Sequence, residues 1–113
     1  MAQSNNYLRL IAESGGSNVN LAQYILEWQQ KPTEIVNILC NTTLGELNIQ
    51  MPSVSAMRGM VNAEFLFFDE GNNAGTNNIN ILMGGSDTFN GANTTLVLDT
   101  NKASVLFRQT KND

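Results

Sequence analysis

Oxygen-bearing side chains crowd one short loop of the chain, which contains Asp69, Glu70, Asn72 and Asn73. Carboxylate and amide oxygens are the ligands that Ca²⁺ prefers, so this loop is a candidate metal site. Its spacing, however, lacks the alternating ligands and the closing Glu of an EF-hand loop. We therefore expect no metal in it.

Side chains suited to catalysis are scarce. Asp87 would need a second carboxylate beside it to hydrolyse a glycosidic bond, and nothing in the sequence places one there. The chain has no His, which removes the commonest general base and the commonest metal ligand. A single cysteine, Cys40, excludes an internal disulfide, and after Ile38 and Leu39 we expect it to be a buried small hydrophobe rather than a reactive thiol. These features predict neither an enzyme nor a cofactor.

The charge pattern argues against two classes of partner. The net charge is -4, and the six Lys and Arg residues are scattered, so phosphates have no basic cluster to bind. No stretch approaches the roughly 20 apolar residues of a membrane span. Charged residues make up 14% of the chain, against about a quarter in a typical soluble domain. The resulting polar, uncharged surface suits packing against other copies or proteins, although an Asn-rich lineage would explain it equally well.

The ends of the chain differ from its middle. Residues 1–6 are small and polar, which predicts a flexible arm, and residues 109–113 predict a polar tail. No basic region followed by a long apolar run opens the chain, so we expect no signal peptide and synthesis in a cytoplasm. Between these ends, 7–108 has the length of one domain with a modest core.

The stretch 61–84 predicts two strands around a loop rich in Gly and Asn, arranged as a β-hairpin or a long β-arch. In its second arm Ile79 and Ile81 show the two-residue period of a half-buried strand. The first arm is apolar at nearly every position from Phe65 to Phe68, which favours the middle of a core.

Other segments support the same class. In 44–51 the residues Leu47, Ile49 and Met51 alternate with polar ones and are predicted to face inward. The segment 21–30 fits helical or strand spacing, and we favour a strand because its neighbours are β and Pro32 would cut a helix short. An Asn at position 20 is a suitable cap for a helix in that segment. The segments 94–98 and 103–108 are predicted to pair with each other.

Together the segments predict an all-β domain of about seven to nine short antiparallel strands, arranged as a β-sandwich or jelly roll. No exact internal repeat occurs, so a solenoid is not expected. Within this fold Trp28 is a candidate core or interface anchor. Met57 and Met60 are expected to fill gaps in the core or to serve a contact surface.

The second half of the chain resembles a β-rich module of tail-fibre, head-fibre and other virion proteins of tailed bacteriophages. The module runs Asp-Glu-x-Gly-Asn-Ala-Gly-Thr-Asn with alternating Ile, then Gly-x-Asp-Thr-Ile-x-Gly-Ala, then Asn-Thr-Asn. The matching residues are Asp69, Glu70, Asn73, Ala74, Gly75, Thr76, Asn77, Ile79, Ile81, Gly85, Asp87, Thr88, Gly91, Ala92, Thr100, Asn101 and Ser104.

Three departures accompany this resemblance. Asn72 replaces a Gly, which Asn tolerates because it accepts the left-handed backbone region. Phe89 replaces Ile, and its larger side chain is a candidate subunit contact. The closing aromatic after a Gly-rich turn is absent.

The resemblance implies a non-enzymatic virion protein: a capsid decoration or minor capsid protein, or a head-fibre component. Its expected place is the virion, on the capsid surface. Its expected partners are copies of itself, as a homotrimer, and the major capsid or other virion proteins. The alternative is a tail-fibre module that binds a host receptor or glycan, for which Tyr24, Trp28 and the Asn-rich loops would supply an aromatic shelf with amides.

Overall fold

The computed structural model of the 113-residue chain describes residues 7–24, 35–53, 64–84, 88 and 94–108. These residues form eight strands and one turn of 3-10 helix, Leu21–Tyr24. The strands are β1 (Tyr7–Ile11), β2 (Ser17–Asn20), β3 (Ile35–Asn41), β4 (Leu47–Gln50), β5 (Glu64–Asp69), β6 (Ile79–Leu82), β7 (Thr95–Leu98) and β8 (Ser104–Arg108).

The strands form two four-stranded sheets. The first sheet has the order β1-β3-β5-β8 and the second the order β2-β4-β6-β7. The chain alternates between the sheets up to β6, and the pairs β1/β3, β3/β5, β2/β4 and β4/β6 are parallel. The backbone thus winds through the two sheets as a coil in which each turn contributes one strand to each sheet. Paired strands of successive turns are 29 to 32 residues apart, since Tyr7 pairs with Asn37 and Leu47 with Ile79. The last two strands then reverse direction, because β7 is antiparallel to β6 and β8 antiparallel to β5.

This topology confirms the all-β class and corrects several details of it. Antiparallel pairing is wrong for four of the six strand pairs. The stretch 61–84 contains an arch and no hairpin, since β5 and β6 lie in different sheets. The segments 94–98 and 103–108 likewise pair with β6 and β5 and not with each other. The chain winds in successive turns although its sequence has no exact repeat. The strands of these turns pair in register, and this pairing does not require the turns to have similar sequences.

One hydrophobic core lies between the two sheets. Every second residue of β3, β4, β5 and β6 is buried, and the predicted inward residues Leu47 and Ile49 of β4 and Met51 directly after it are all buried. Phe67 of β5 meets Phe107 of β8 edge to face, with the ring centroids 5.7 Å apart. The period of two therefore decides which side chains reach the core, whether the neighbouring strand is parallel or antiparallel.

The first part of the ambiguous segment 21–30 is helical. Leu21–Tyr24 is a 3-10 turn rather than the strand we favoured, and the remaining residues of the segment lie outside the described ranges. The Asn20 side chain caps the turn by accepting a hydrogen bond of 3.0 Å from the backbone N–H of Ala22. Leu21 is fully buried in the core, so the turn closes one end of β2.

Two turns that connect the sheets touch through glycines. A Cβ atom on Gly45 would lie 2.4 Å from the backbone nitrogen of Gly16 and 2.7 Å from the backbone oxygen of Glu13. Gly16 itself has a φ of +103°. Successive turns of the coil can stack here only because neither position carries a side chain.

We expect Gly45→Ala to lower the free energy of unfolding by about 3 kcal/mol, the upper end of the usual cost of overpacking, because the added Cβ atom would meet backbone atoms that cannot rotate away. Urea unfolding measures this. Gly15→Ala is the control: Gly15 has a φ of +90° but nothing within 4 Å of an added Cβ atom. It should cost only about 1–2 kcal/mol. Equal costs would contradict the close contact.

Candidate functional site

The single cysteine lies in the core. Cys40 is fully buried in β3, and its thiol is 3.7 Å from the backbone oxygen of Ile38. Burial raises the pKa of this thiol from 9.0 to about 12, and the negative charge of Asp69 adds to the rise. This burial confirms the expected small buried hydrophobe, and the raised pKa of the thiol leaves almost no thiolate at neutral pH.

Asp69, the first residue of the candidate calcium loop, is also buried, at 1% exposure. Its carboxylate accepts hydrogen bonds from three backbone N–H groups, those of Asn73 (3.3 Å), Ala74 (3.0 Å) and Lys102 (2.9 Å). The first two belong to the arch between β5 and β6, and Lys102 belongs to the turn between β7 and β8. One carboxylate therefore holds together two of the connections between the sheets at this end of the strands, the β5–β6 arch and the β7–β8 turn.

Two residues with positive φ lie in these connections. Asn72, which replaces the Gly of the module, has a φ of +60°, as its acceptance of the left-handed region predicts. Lys102 has a φ of +66°, which is uncommon for a long side chain. The bond from the Lys102 N–H to Asp69 compensates for this conformation.

The other acidic residue of the loop points outward. Both carboxylate oxygens of Glu70 accept hydrogen bonds from Arg9, at 2.8 to 3.1 Å. The described residues contain no group of three or more His, Cys, Asp or Glu side chains that would hold a metal. Within that part of the chain, Asp69 is bound to peptide groups and Glu70 to a guanidinium.

The outer face of the first sheet carries an apolar patch, made of Leu39, Leu66, Phe68 and Leu106. None of the four is among the side chains that pack against the core; Leu106 is 51% exposed, and Leu39, Leu66 and Phe68 are half-buried. Leu39 pairs with Phe68 and Leu66 with Leu106, so the patch is continuous across β3, β5 and β8.

Ion pairs flank this patch. Arg9 pairs with Glu70 at 2.8 Å and Arg108 with Glu64 at 3.2 Å. Each pair joins two different strands or their ends, and its members are partly exposed. The apolar patch thus lies between two neutral pairs.

The outer face of the second sheet is polar. Asn18, Asn48 and Asn80 occupy one register row across β2, β4 and β6. The Asn80 amide donates to the Asn48 side-chain oxygen at 2.8 Å, and the Asn48 amide donates to Asn18 at 3.0 Å. These bonds form an asparagine ladder whose donors all point toward β2.

A cleft of about 390 Å³ opens beside the β2 end of this ladder. The two connections that meet at Gly16 and Gly45 form one side of it, and the arch at Asn77 forms another. Its lining consists of Gly15, Gly16, Ser17, Asn18, Leu44, Gly45, Glu46, Asn48 and Asn77.

Most residues named as interface candidates from the sequence are not placed by the structure. Trp28, Met57, Met60 and Phe89 lie outside the described residues, as do the arm 1–6, the tail 109–113 and Asp87. Tyr24, the other half of the aromatic shelf, is partly buried against the core. The continuous apolar run 65–68 predicts a core position for Leu66 and Phe68 as well as for Phe65 and Phe67. In the folded sheet only Phe65 and Phe67 are buried, and Leu66 and Phe68 face outward.

Comparison of the chain with protein-family models, curated proteins and solved structures finds no match in any of the three. No helix in the described part of the chain is long and apolar enough to span a membrane.

We expect Asp69→Asn to lower the free energy of unfolding by about 2–4 kcal/mol, since an amide accepts fewer hydrogen bonds and sets its own N–H groups against those of the backbone. Glu70→Gln is the matched control and should cost less than about 1 kcal/mol, because its ion pair is exposed. Thermal or urea unfolding measures both. A large rise in melting temperature on adding Ca²⁺ would contradict the structural role of Asp69.

The buried thiol predicts a pH dependence. Because the pKa of Cys40 is higher in the folded state, its contribution to stability is complete below pH 9.0 and is lost as pH rises toward 12. Over that range we expect Cys40 alone to lower the free energy of unfolding by about 1.4 kcal/mol per pH unit. Cys40→Ala should remove this part of the slope in urea unfolding, and identical slopes would contradict the shift.

Proposed function

We propose that this chain is a non-enzymatic structural protein of a bacteriophage virion, a capsid decoration, minor capsid or head-fibre component that acts by protein–protein assembly. The observation that supports this most is the apolar patch on the outer face of the first sheet. An apolar surface between polar rims is typical of protein interfaces. The resemblance of the second half of the chain to virion modules is the reason for proposing a bacteriophage virion as the assembly.

Other copies of the chain suit this patch. The two ion pairs around it contain two Arg and two Glu residues, so its surroundings are neutral although the chain carries a net charge of -4. Two copies can therefore bring their patches together without placing like charges opposite each other. We expect a homotrimer, because the resemblance to fibre modules implies one.

The sheet edges offer a second mode of assembly with other virion proteins. β1 and β2 are the edge strands of the two sheets at the same end of the coil. A strand from the major capsid protein or another virion protein can extend an edge of this kind through main-chain hydrogen bonds. The proposed location is accordingly the capsid surface.

The fold is consistent with a building unit of this type. We propose that the two facing sheets are a short two-sided β-solenoid, a sandwich of layers formed by coiling rather than by jelly-roll pairing. The sequence run that carries the resemblance forms the arch held by Asp69, so the likeness concerns the framework and not a reactive site.

Self-assembly is tested by light scattering on a sizing column. We expect the full chain to have three times its mass of 12.4 kDa, and the double variant Leu66→Glu with Leu106→Glu to have the mass of one chain. Buried charges in place of the leucines would prevent association while leaving the core untouched. Val97→Glu is the control, since Val97 is 44% exposed on the outer face of the second sheet, and it should leave the mass unchanged.

A monomer at every concentration, or a double variant that keeps the oligomeric mass, would contradict assembly through the patch. The virion location has its own test. Mass spectrometry of gradient-purified particles of the source phage should detect the chain in the particle fraction. Its absence there would contradict the structural role.

A further inference from the structure

The cleft beside the asparagine ladder contains hydrogen-bonding groups that the fold leaves unused. Asn48 uses both ends of its side chain in the ladder, since its amide donates to Asn18 and its oxygen accepts from Asn80. Asn18 uses only its oxygen, and its amide nitrogen donates to no acceptor among the described residues. The ladder thus ends at the cleft with a donor.

Ser17 supplies a second donor. Its oxygen accepts a hydrogen bond of 2.9 Å from the backbone N–H of Glu13, while its own O–H has no acceptor within the described part of the chain. Ser17 and Asn18 are consecutive on β2, so their side chains leave the strand on opposite sides, and Ser17 borders the cleft from the β1–β2 turn that contains Glu13.

Two acceptors complete the set. Asn77 donates its amide to the backbone oxygen of Thr42 at 2.8 Å, which leaves its side-chain oxygen available. Glu46 receives a single long contact of 3.5 Å, from the Asn80 amide to one carboxylate oxygen, and the residue is exposed. A charged acceptor with this much spare capacity forms strong hydrogen bonds to hydroxyl groups.

The chemistry of the lining restricts what can bind. Among the described residues no Lys or Arg lines the cleft, so there an anion would meet the negative charge of Glu46. In the same part of the chain Glu46 is the only carboxylate of the lining, too few for a bound metal ion. Leu44, which is 61% exposed, is the only large apolar side chain among these lining residues. Mixed donors and acceptors beside one apolar side chain fit a small, neutral, hydroxyl-rich molecule.

We propose that this cleft binds a neutral sugar unit of a glycan. Vicinal hydroxyls of the sugar accept a hydrogen bond from Asn18 and donate one to Glu46. Ser17 and Asn77 complete the polar contacts. Leu44 lies against the C–H face of the ring. Gly15, where nothing lies within 4 Å of an added Cβ atom, leaves its side of the cleft open, and the volume of about 390 Å³ is that of a small-ligand site. The site is separate from the apolar patch and does not depend on the proposed assembly.

Titrations followed by amide chemical shifts in NMR spectra of the full chain test this directly. The probes are D-glucose, D-galactose, D-mannose and N-acetylglucosamine, with D-glucuronate as an anionic comparison. We expect at least one neutral sugar to shift resonances in 15–18, 44–48 and 77, with millimolar affinity. Glucuronate should bind more weakly than glucose because of Glu46.

Two variants separate the ligand contacts from the framework. Glu46→Gln keeps the shape but removes the charge, and it should weaken binding about tenfold. Asn18→Asp keeps an oxygen for the ladder but removes the donor, and it should weaken binding by a similar factor. Asp99→Asn, an exposed acidic position outside the cleft lining, is the matched control and should change nothing.

Absence of shifts with all four neutral sugars would overturn the proposal. So would shifts that neither Glu46→Gln nor Asn18→Asp reduces. Binding of glucuronate at least as tight as that of glucose would overturn the assignment of a neutral ligand.

Discussion

The fold depends on one buried carboxylate. A negative charge inside a protein is costly unless hydrogen bonds replace its lost water, and Asp69 obtains that replacement from peptide N–H groups rather than from a cation. Its donors come from a connection that leaves the first sheet and from one that returns to it. The same carboxylate therefore fixes the β5–β6 arch, which continues the coil, and the β7–β8 turn, in the part of the chain where the strand direction is reversed. The positive φ at Lys102 is the local cost of bringing the last donor into place.

The sequence predicts which residues form strands and which of them face inward better than it predicts which strands pair with each other. A period of two is a local property, so the inward positions of Leu47, Ile49 and Ile79 could be read from the residues between them. Parallel pairing joins residues 29 to 32 positions apart, and the Gly and Asn of an arch look the same as those of a hairpin. A weak signal did exist: Asn is followed by Val or Ile at 18, 48 and 80, which is the row of the ladder.

The same limit applies to the candidate sites. The sequence singled out Asp69 only as a possible calcium ligand, because spacing along the chain does not show that backbone N–H groups surround its carboxylate. Leu66 and Phe68 belong to a continuous apolar run, and such a run is equally consistent with burial on both faces of a sheet. The cleft is built by three connections that are distant along the chain. Only the folded coil brings Ser17, Glu46 and Asn77 to one place.

The reversal of the last two strands also bears on how this protein can change its length during evolution. Inserting or deleting one residue inside a strand would turn every following side chain to the opposite face. A whole turn of about 30 residues, in contrast, could be gained or lost with the inward and outward positions preserved, as occurs in repeat proteins. Because β7 and β8 run against the coil, such a turn would have to enter before them. We thus expect related chains of different length to differ by whole turns inserted before β7, with β7 and β8 retained as the last two strands.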